Sequence, residues 1–389
     1  MKNTFFRLFV IVVLLGIGEA ACLVALRFIP AHVYYKPPSD ADIKAYHELM
    51  TQPNYSSTLG WLPQPELVTE AGTRISPGGE GYVKIASVYG DSFAYGNDVG
   101  HDEAWTDVLS RLLKRRVDNY GVNFYSTGQA LLRFIENTDD KPEIVILVVM
   151  SENIVRNINQ NTTFIYSPQF MFRPVWYLKD EGISWEPIPY ISGMDAETYL
   201  AQERDLLRHE YFWPESTNLS KRKIGFPYLY SLPRAILLNS RITYGLLDEL
   251  GFHVGAWYRE LYDPQHPSGA FELTLRICEK FVEVARARGV KRPIVLFLPR
   301  DRDIFYFRTL GQWGYESFCD AAFRRLPEFY TLTDNIKKDF ANKDDRTIKD
   351  YFSTSRFRWG RSQREVGGHY SVEGNAYLAQ VVREIILNR

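Results

Sequence analysis

The chain has 389 residues, of which 45% are hydrophobic, 24% charged and 15% aromatic. This composition is typical of a globular protein and excludes pervasive disorder. A formal net charge of −1, with no basic stripe along the sequence, gives no electrostatic basis for nucleic acid binding.

The N-terminus contains an apolar run with the length of a membrane span. Leu8 to Leu26 is apolar apart from Glu19, and it follows Lys2 and Arg7. About 20 apolar residues cross a bilayer, and positive charge on the short N-terminal side favours keeping that side in the cytoplasm. The sequence therefore predicts a transmembrane signal-anchor over residues 1–29, with the rest of the chain in the periplasm or at the cell surface.

Other interpretations of this segment stay open. Small residues at Ala20 and Ala21 fit a cleaved signal peptide, although no clear cleavage pattern surrounds them. Lipid attachment at Cys22 is a third interpretation, but Glu19 occupies a position where an apolar residue is expected. Because a carboxylate is costly in lipid, Glu19 either marks a functional contact or is protonated or drawn to the interface.

Residues 30–80 form a lead-in rich in Pro, Ser and Gly, and apolar strand and helix patterns alternate from residue 81 onward. This alternation predicts a three-layer α/β/α domain over residues 81–389, built on a central, mostly parallel five-stranded sheet. The predicted strands lie near 83–89, 117–122, 143–149, 294–298 and 329–332, and the predicted helices near 104–115, 127–137, 271–285, 313–325 and 378–386.

The alternation is interrupted at about residues 157–269. This stretch is rich in aromatic residues and prolines and shows no clear strand run, so we expect an insertion that is helical near 195–210 and 233–250. Such an insertion either caps the carboxyl edge of the sheet and helps select the substrate, or simply packs onto the domain.

The three cysteines, Cys22, Cys278 and Cys319, have neither a disulfide framework nor a metal-ligand spacing. Cys278 and Cys319 fall in predicted helices, where a cysteine usually behaves as a small buried apolar residue, although an oxidising compartment would permit them to pair. No metal-binding, nucleotide-binding or dinucleotide motif occurs, so no cofactor is expected.

The first predicted strand ends in Gly90-Asp91-Ser92-Phe93, a motif that contains a candidate reactive side chain. A serine at the carboxyl end of a strand lies where open α/β sheets bind their ligands, and the glycine before it permits a tight turn. Ser92 therefore is either a nucleophile or an ordinary turn or helix-capping serine.

Three further blocks follow in order, and together with the first they resemble the SGNH (GDSL-type) hydrolase family. They are Asn119 to Thr127, Ser151 to Asn153 at the end of the third strand, and Gly368 to Asn375 before the last helix. The resemblance implies a flavodoxin-like α/β/α fold. It also implies that the protein is an ester hydrolase or acyltransferase.

The resemblance assigns a role to each matching residue. Ser92 would be the nucleophile and His369 the base, while Ser92, Phe124 and Asn153 would stabilise the oxyanion. Asn153 also suits a helix N-cap, and His101, in the loop after Ser92, is the main rival of His369.

Two positions depart from the family pattern. The oxyanion glycine falls on Phe124, and the aspartate that orients the histidine falls on Val366. Loss of the orienting acid in a serine triad costs about 10⁴ in turnover. We therefore consider Glu365 or Asp334 as a replacement acid, and a backbone carbonyl or a Ser–His dyad stays open.

The sequence thus favours a membrane-anchored serine esterase or acyl-transfer enzyme outside the cytoplasm. Its expected partners are the membrane and an acylated small molecule or carbohydrate, with O-acyl groups of envelope or exported polysaccharide as the substrate class that the resemblance and location favour. The alternative, motivated by Phe124 and Val366, is a catalytically impaired envelope protein that binds glycan or a membrane partner.

Overall fold

The structure is a computed structural model that describes residues 2–29, 33–167, 169–250, 252, 254–340, 343–359 and 362–388. Its strands are β1 (Tyr55–Ser56), β2 (Gly60–Trp61), β3 (Lys84–Tyr89), β4 (Arg116–Asn119), β5 (Ile144–Met150), β6 (Val175–Lys179), β7 (Gly182–Glu186), β8 (Arg292–Leu298), β9 (Phe329–Thr331), β10 (Phe352–Trp359) and β11 (Ser362–Tyr370). Its α-helices are α1 (Lys2–Ala25), α2 (Asp40–Met50), α3 (Ser92–Tyr95), α4 (Trp105–Leu113), α5 (Thr127–Glu136), α6 (Asn153–Arg156), α7 (Ala196–Leu206), α8 (Tyr228–Leu237), α9 (Ser240–Glu249), α10 (Ala270–Ala287), α11 (Asp301–Leu310), α12 (Glu316–Arg325), α13 (Thr333–Phe340), α14 (Asp345–Lys349) and α15 (Val372–Leu387).

A five-stranded parallel sheet organises the chain, with the strand order β4-β3-β5-β8-β9. The central strand β5, with the sequence Ile-Val-Ile-Leu-Val-Val-Met, is buried along its whole length. Such a strand is stable only between two covering layers. Helices α4 and α15 pack together, as do α5 and α10, and they supply those layers. The predicted α/β/α fold and its five parallel strands are confirmed.

The order of the strands reverses at β3, because the chain moves from β3 outward to β4 and then back past β3 to β5. In sheets of this order, ligands bind outside the carboxyl ends of the strands beside that reversal. The fold therefore places its natural binding site at the end of β3, where Ser92 follows.

The insertion differs from its prediction in one respect. The helices α7, α8 and α9 lie where helices were expected, but β6 and β7 form an antiparallel hairpin in a stretch where no clear strand was predicted. Trp176 pairs with Trp185 across this hairpin. Its strands have only five residues each, so the alternation was too short to stand out among the surrounding prolines.

A second antiparallel hairpin, β10–β11, precedes the C-terminal helix and was also not predicted. It lies outside the parallel sheet, and its last strand ends at Tyr370. The hairpin therefore delivers the residue before Tyr370, His369, to the sheet from a separate piece of structure.

The N-terminal helix is the one element among the described residues with the length and apolar character of a membrane span, Thr4–Phe28. Its apolar side chains are largely exposed. By length and composition it fits a membrane anchor or a signal sequence.

Candidate active site

The turn after β3 brings Ser92 to the carboxyl edge of the sheet. A Cβ atom on Gly90 would lie 2.6 Å from the Cβ of Ala94 and 2.9 Å from the Cβ of Val148, so only glycine lets the chain turn this close to β5. Asp91 caps the N-terminus of α3, and Ser92 is the first residue of that helix. The turn thus fixes both the backbone and the direction of the Ser92 side chain.

A buried ion pair holds this turn in place. Asp91 is fully buried, and the Arg156 guanidinium lies 3.1 Å from its carboxylate. Desolvation by burial raises the pKa of Asp91, and the charge of Arg156 opposes that rise. Arg156 is buried at the end of α6 and supports the residue next to Ser92.

The structure brings Ser92 and His369 together. The Nε2 atom of His369 lies 2.7 Å from the Ser92 hydroxyl oxygen. The imidazole also packs against the ring of Phe93, with centroids 4.9 Å apart. Within this distance a neutral histidine can take the proton of the serine hydroxyl.

The chain beyond His369 is fastened by Asn375. Its side-chain amide donates to the Tyr370 carbonyl at 2.8 Å, and its carbonyl oxygen accepts the backbone N–H of Trp105 at 3.0 Å. The latter bond satisfies an N–H in the first turn of α4. Asn375 therefore ties the histidine segment to α4 and keeps His369 at the rim of the sheet.

The other nitrogen of the imidazole contacts an acid that the sequence analysis missed. The Oδ2 atom of Asp98 lies 2.9 Å from His369 Nδ1 and accepts a second hydrogen bond, at 2.8 Å, from the hydroxyl of Ser353. The hydrogen bond from His369 is the main cause that lowers the pKa of Asp98 to about 2. Ser92, His369 and Asp98 therefore form a continuous hydrogen-bonded series.

The structure thus places Asp98, rather than Glu365 or Asp334, on the histidine. Asp334 lies in the first turn of α13, beyond the edge strand β9, and the Glu365 side chain lies outside the described part of the chain. Asp98 adopts φ of 69°, a conformation that aspartate tolerates better than most residues. Its position six residues after Ser92 was the feature of the sequence that could have indicated Asp98 as the orienting acid. The family pattern instead places that acid in the segment before His369.

Phe124 adopts the conformation that glycine normally supplies at its position. Its φ is 67°, and its ring packs between the Arg173 guanidinium at 4.8 Å and the Tyr166 ring at 5.2 Å. A non-glycine residue in this region costs about 1–3 kcal/mol and persists only where the surroundings enforce it. Within the described chain, the backbone N–H groups of Ser92 and Phe124 donate to no other residue.

Asn153 is buried without a hydrogen-bond partner. Its side chain is fully buried, and neither amide atom bonds to another described residue. It does not cap α6, because the capping position belongs to Glu152. A buried unpaired amide costs about 1–3 kcal/mol, so its presence directly after Glu152, which lines the cleft over Ser92, calls for an explanation.

A cleft of about 360 Å³ opens over Ser92. Its walls include Phe124, Glu152, Arg156 and Arg300, and none of its described lining residues belongs to the insertion between 157 and 269. The insertion contacts the wall of the cleft through the packing of Tyr166 against Phe124.

Glu152, in the wall of the cleft, is buried and paired with Arg300. Desolvation alone would raise its pKa, and the charges of Arg300 and Arg156 outweigh that effect and lower it. The cleft therefore holds a fixed ionic network rather than a second titrating acid. Within the part of the chain that the structure describes, no three His, Cys, Asp or Glu side chains converge to hold a metal ion.

Comparisons with known proteins give only a weak structural likeness. No protein-family model and no curated protein matches the sequence. Seven solved chains match, among them a proposed lipolytic protein of the G-D-S-L family from Desulfitobacterium hafniense DCB-2, with 10% identity and a TM-score of 0.30 over 78% of this chain and 99% of that one. A likeness at this level says nothing about catalysis, so the function rests on the geometry of the site itself.

Proposed function

We propose that the protein is a serine ester hydrolase or acyl-transfer enzyme of the SGNH type. The observation that carries the proposal is the series in which Ser92 Oγ, His369 and Asp98 are joined by hydrogen bonds of 2.7 and 2.9 Å. This is the arrangement by which an enzyme activates a serine hydroxyl.

In the first step, the Ser92 oxygen attacks the carbonyl carbon of an ester while His369 Nε2 takes the hydroxyl proton. The tetrahedral intermediate then expels the alcohol, which leaves with the proton from His369, and an acyl-enzyme remains. In the second step, His369 deprotonates a water or an acceptor hydroxyl, which attacks the acyl carbon. The bond from that carbon to Ser92 Oγ then breaks, and His369 returns the proton to the serine oxygen. Asp98 orients the imidazole and stabilises its cationic form.

The oxyanion of each tetrahedral intermediate needs fixed donors. We assign this role to the backbone N–H groups of Ser92 and Phe124 and to the amide of Asn153. Support comes from the uncommitted N–H groups and from the unpaired, buried amide. Donors that are already oriented and desolvated stabilise developing charge at little reorganisation cost.

The location and substrate class extend this proposal. A retained α1 would anchor the enzyme in the membrane, and the positive charge before the span favours a catalytic domain outside the cytoplasm. Such a location suits O-acyl groups on envelope or exported polysaccharide as substrates. The aromatic and arginine side chains at the cleft provide surfaces on which a carbohydrate can stack and hydrogen-bond.

The alternative of a non-catalytic glycan-binding protein rested on Phe124 and Val366. Phe124 has the backbone conformation expected of the family glycine, and Asp98 provides a carboxylate that position 366 does not. Both reasons for an impaired site are therefore weakened, and we favour the enzyme.

The proposal is tested with p-nitrophenyl acetate and a fluorophosphonate probe on the purified full-length protein. We expect ester hydrolysis and covalent labelling that both disappear in Ser92→Ala. The matched control is Ser353→Ala, which removes a nearby hydroxyl and should still be labelled. Equal hydrolysis and labelling in the wild type and Ser92→Ala would refute the assignment.

A further inference from the structure

An exposed apolar surface lies on α8, α9 and the segments beside them. Phe226, Tyr230, Leu237, Leu246, Leu250 and Phe252 are between 43% and 80% exposed. We call this set the α8–α9 surface. Large apolar side chains concentrated on one part of a protein mark a site that another protein or a membrane covers.

The N-terminal helix contacts this part of the molecule directly. The Glu19 carboxylate accepts the backbone N–H groups of Tyr228 at 2.6 Å and Leu229 at 3.2 Å, which are the first two residues of α8. Gly18 lies so close that a Cβ atom there would be 2.9 Å from Leu229 Cδ1. The carboxylate therefore satisfies donors at the N-terminus of α8, and the small neighbour lets the two helices touch.

This contact sets the depth of α8 relative to the candidate membrane span. Glu19 precedes Phe28, the end of the span, by nine residues, or about 14 Å at 1.5 Å per residue. The 25 residues of Thr4–Phe28 cover about 38 Å, some 8 Å more than the roughly 30 Å of hydrocarbon. Even if all the excess projects on the C-terminal side, Glu19 and the start of α8 lie about 6 Å inside the apolar layer.

One arginine on each of the two helices is bonded to another part of the protein. Arg234 of α8 pairs with Glu215 at 3.2 Å, and Arg241 of α9 donates to the Ile165 carbonyl at 2.8 Å. Meanwhile Leu237 and Leu250, at the C-terminal ends of the helices, are 67% and 72% exposed. This segregation is typical of a helix pair that rests in a lipid interface.

We propose that the α8–α9 surface is a second membrane contact, buried in the leaflet that surrounds the C-terminal half of α1. The proposal rests on the membrane anchor of the proposed function but not on its chemistry. The partner is the lipid bilayer itself, because the Glu19–Tyr228 contact joins the surface to an exposed apolar helix that is long enough to span a membrane. The contact favours a retained α1, since cleavage would remove the acceptor of the two N–H groups at the start of α8.

The surface connects to the active site through a short chain of contacts. The Arg241 guanidinium lies 5.4 Å over the Tyr166 ring, and Tyr166 packs against Phe124 at 5.2 Å. The membrane contact would therefore hold the cleft close to the bilayer, where a membrane-associated substrate could reach Ser92.

The experiment places an environment-sensitive fluorophore on single cysteines of the full-length chain in a Cys22→Ser background. Cys278 and Cys319 are buried and do not compete for the label. The positions are Leu237→Cys and Leu250→Cys on the surface, with Leu14→Cys in α1 as the positive control. Val83→Cys, which is 72% exposed before β3, is the control for a solvent-facing side chain.

Each protein is reconstituted in vesicles of phosphatidylcholine and phosphatidylglycerol, with and without spin-labelled lipid. We expect blue-shifted emission and several-fold quenching at Leu237→Cys, Leu250→Cys and Leu14→Cys, and neither effect at Val83→Cys. Water-like emission at 237 and 250 beside a quenched Leu14→Cys overturns the proposal. A blue shift without lipid quenching also overturns it, because another protein or a second copy would then cover the surface.

Loss of quenching at Leu14→Cys as well would overturn the membrane anchor and, with it, this inference. Fluorophosphonate labelling of Ser92 in the same samples reports the chemistry separately. An enzyme that labels normally while positions 237 and 250 remain in water would leave the proposed activity intact and remove the α8–α9 surface as a membrane contact.

Discussion

Asp98 and His369 are joined by a 2.9 Å hydrogen bond, although 271 positions of sequence separate them. When Nδ1 of the imidazole carries the proton and donates it to Asp98, Nε2 presents its lone pair to Ser92 at 2.7 Å. Asp98 thus selects the tautomer that a general base requires.

Replacement of Asp98 by asparagine should lower kcat/KM for p-nitrophenyl acetate about 10³–10⁴-fold, because the amide favours the wrong tautomer. Asparagine tolerates a φ of 69°, so the substitution adds no backbone strain. Glu365→Gln is the matched control and should retain nearly full activity. A loss below tenfold in Asp98→Asn would show that His369 needs no acid.

The pH dependence tests the charge of Asp98. Its pKa is lowered to about 2, against an unfolded value near 3.9, so it stays ionised throughout mildly acidic solution. Its stabilising effect on the fold is complete above the unfolded pKa and is lost as the pH falls through the folded pKa. We therefore expect the wild type to lose its advantage in the free energy of unfolding over Asp98→Asn as the pH falls from about 4 to about 2, measured by urea unfolding. An advantage that stays unchanged over this range would indicate an unshifted carboxyl.

Phe124 offers a test of backbone strain. At a φ of 67° glycine should be more stable than alanine by about 1 kcal/mol, whereas at ordinary positions the order is reversed. Both variants lose the aromatic packing, so Phe124→Ala and Phe124→Gly should each be less stable than the wild type. Urea unfolding of the pair isolates the backbone contribution. Equal stabilities would mean that the conformation carries no strain.

We expect the Asn153 side chain to lower the free energy of unfolding and to increase kcat. Asn153→Leu removes a buried amide that has no partner among the described residues, so it should raise the free energy of unfolding by about 1 kcal/mol. The same change should lower kcat about 10²–10³-fold through loss of an oxyanion donor. Thermal unfolding and steady-state kinetics check the two effects. A variant that is both less stable and fully active would identify Asn153 as a packing residue.

The parallel sheet could be predicted because its signals are local. The run from Ile144 to Met150 has no polar residue, and a strand that apolar must be covered on both faces. The hairpins β6–β7 and β10–β11 were not predicted, because their stability comes from pairing and tertiary packing rather than from a long alternating pattern.

Part of the site could be predicted, because reactive residue types occur in motifs at the predicted ends of strands. Ser92 and His369 follow from the order of the motifs, and the structure brings them together. Asp98 could not be recognised, because nothing in a loop sequence tells which carboxylate will meet a ring from a distant hairpin. Only the family resemblance, which has a glycine at this position, pointed to the positive φ of Phe124, because phenylalanine rarely adopts that conformation.

The seven residues from Ser92 to Asp98 hold both the nucleophile and its acid, and only the imidazole arrives from elsewhere. Their mutual placement is thus set by one short segment of the chain, whatever the length of the chain that follows it. A long aromatic-rich insertion after α6 is therefore compatible with the site, provided that His369, near the C-terminus, still reaches Ser92 and Asp98.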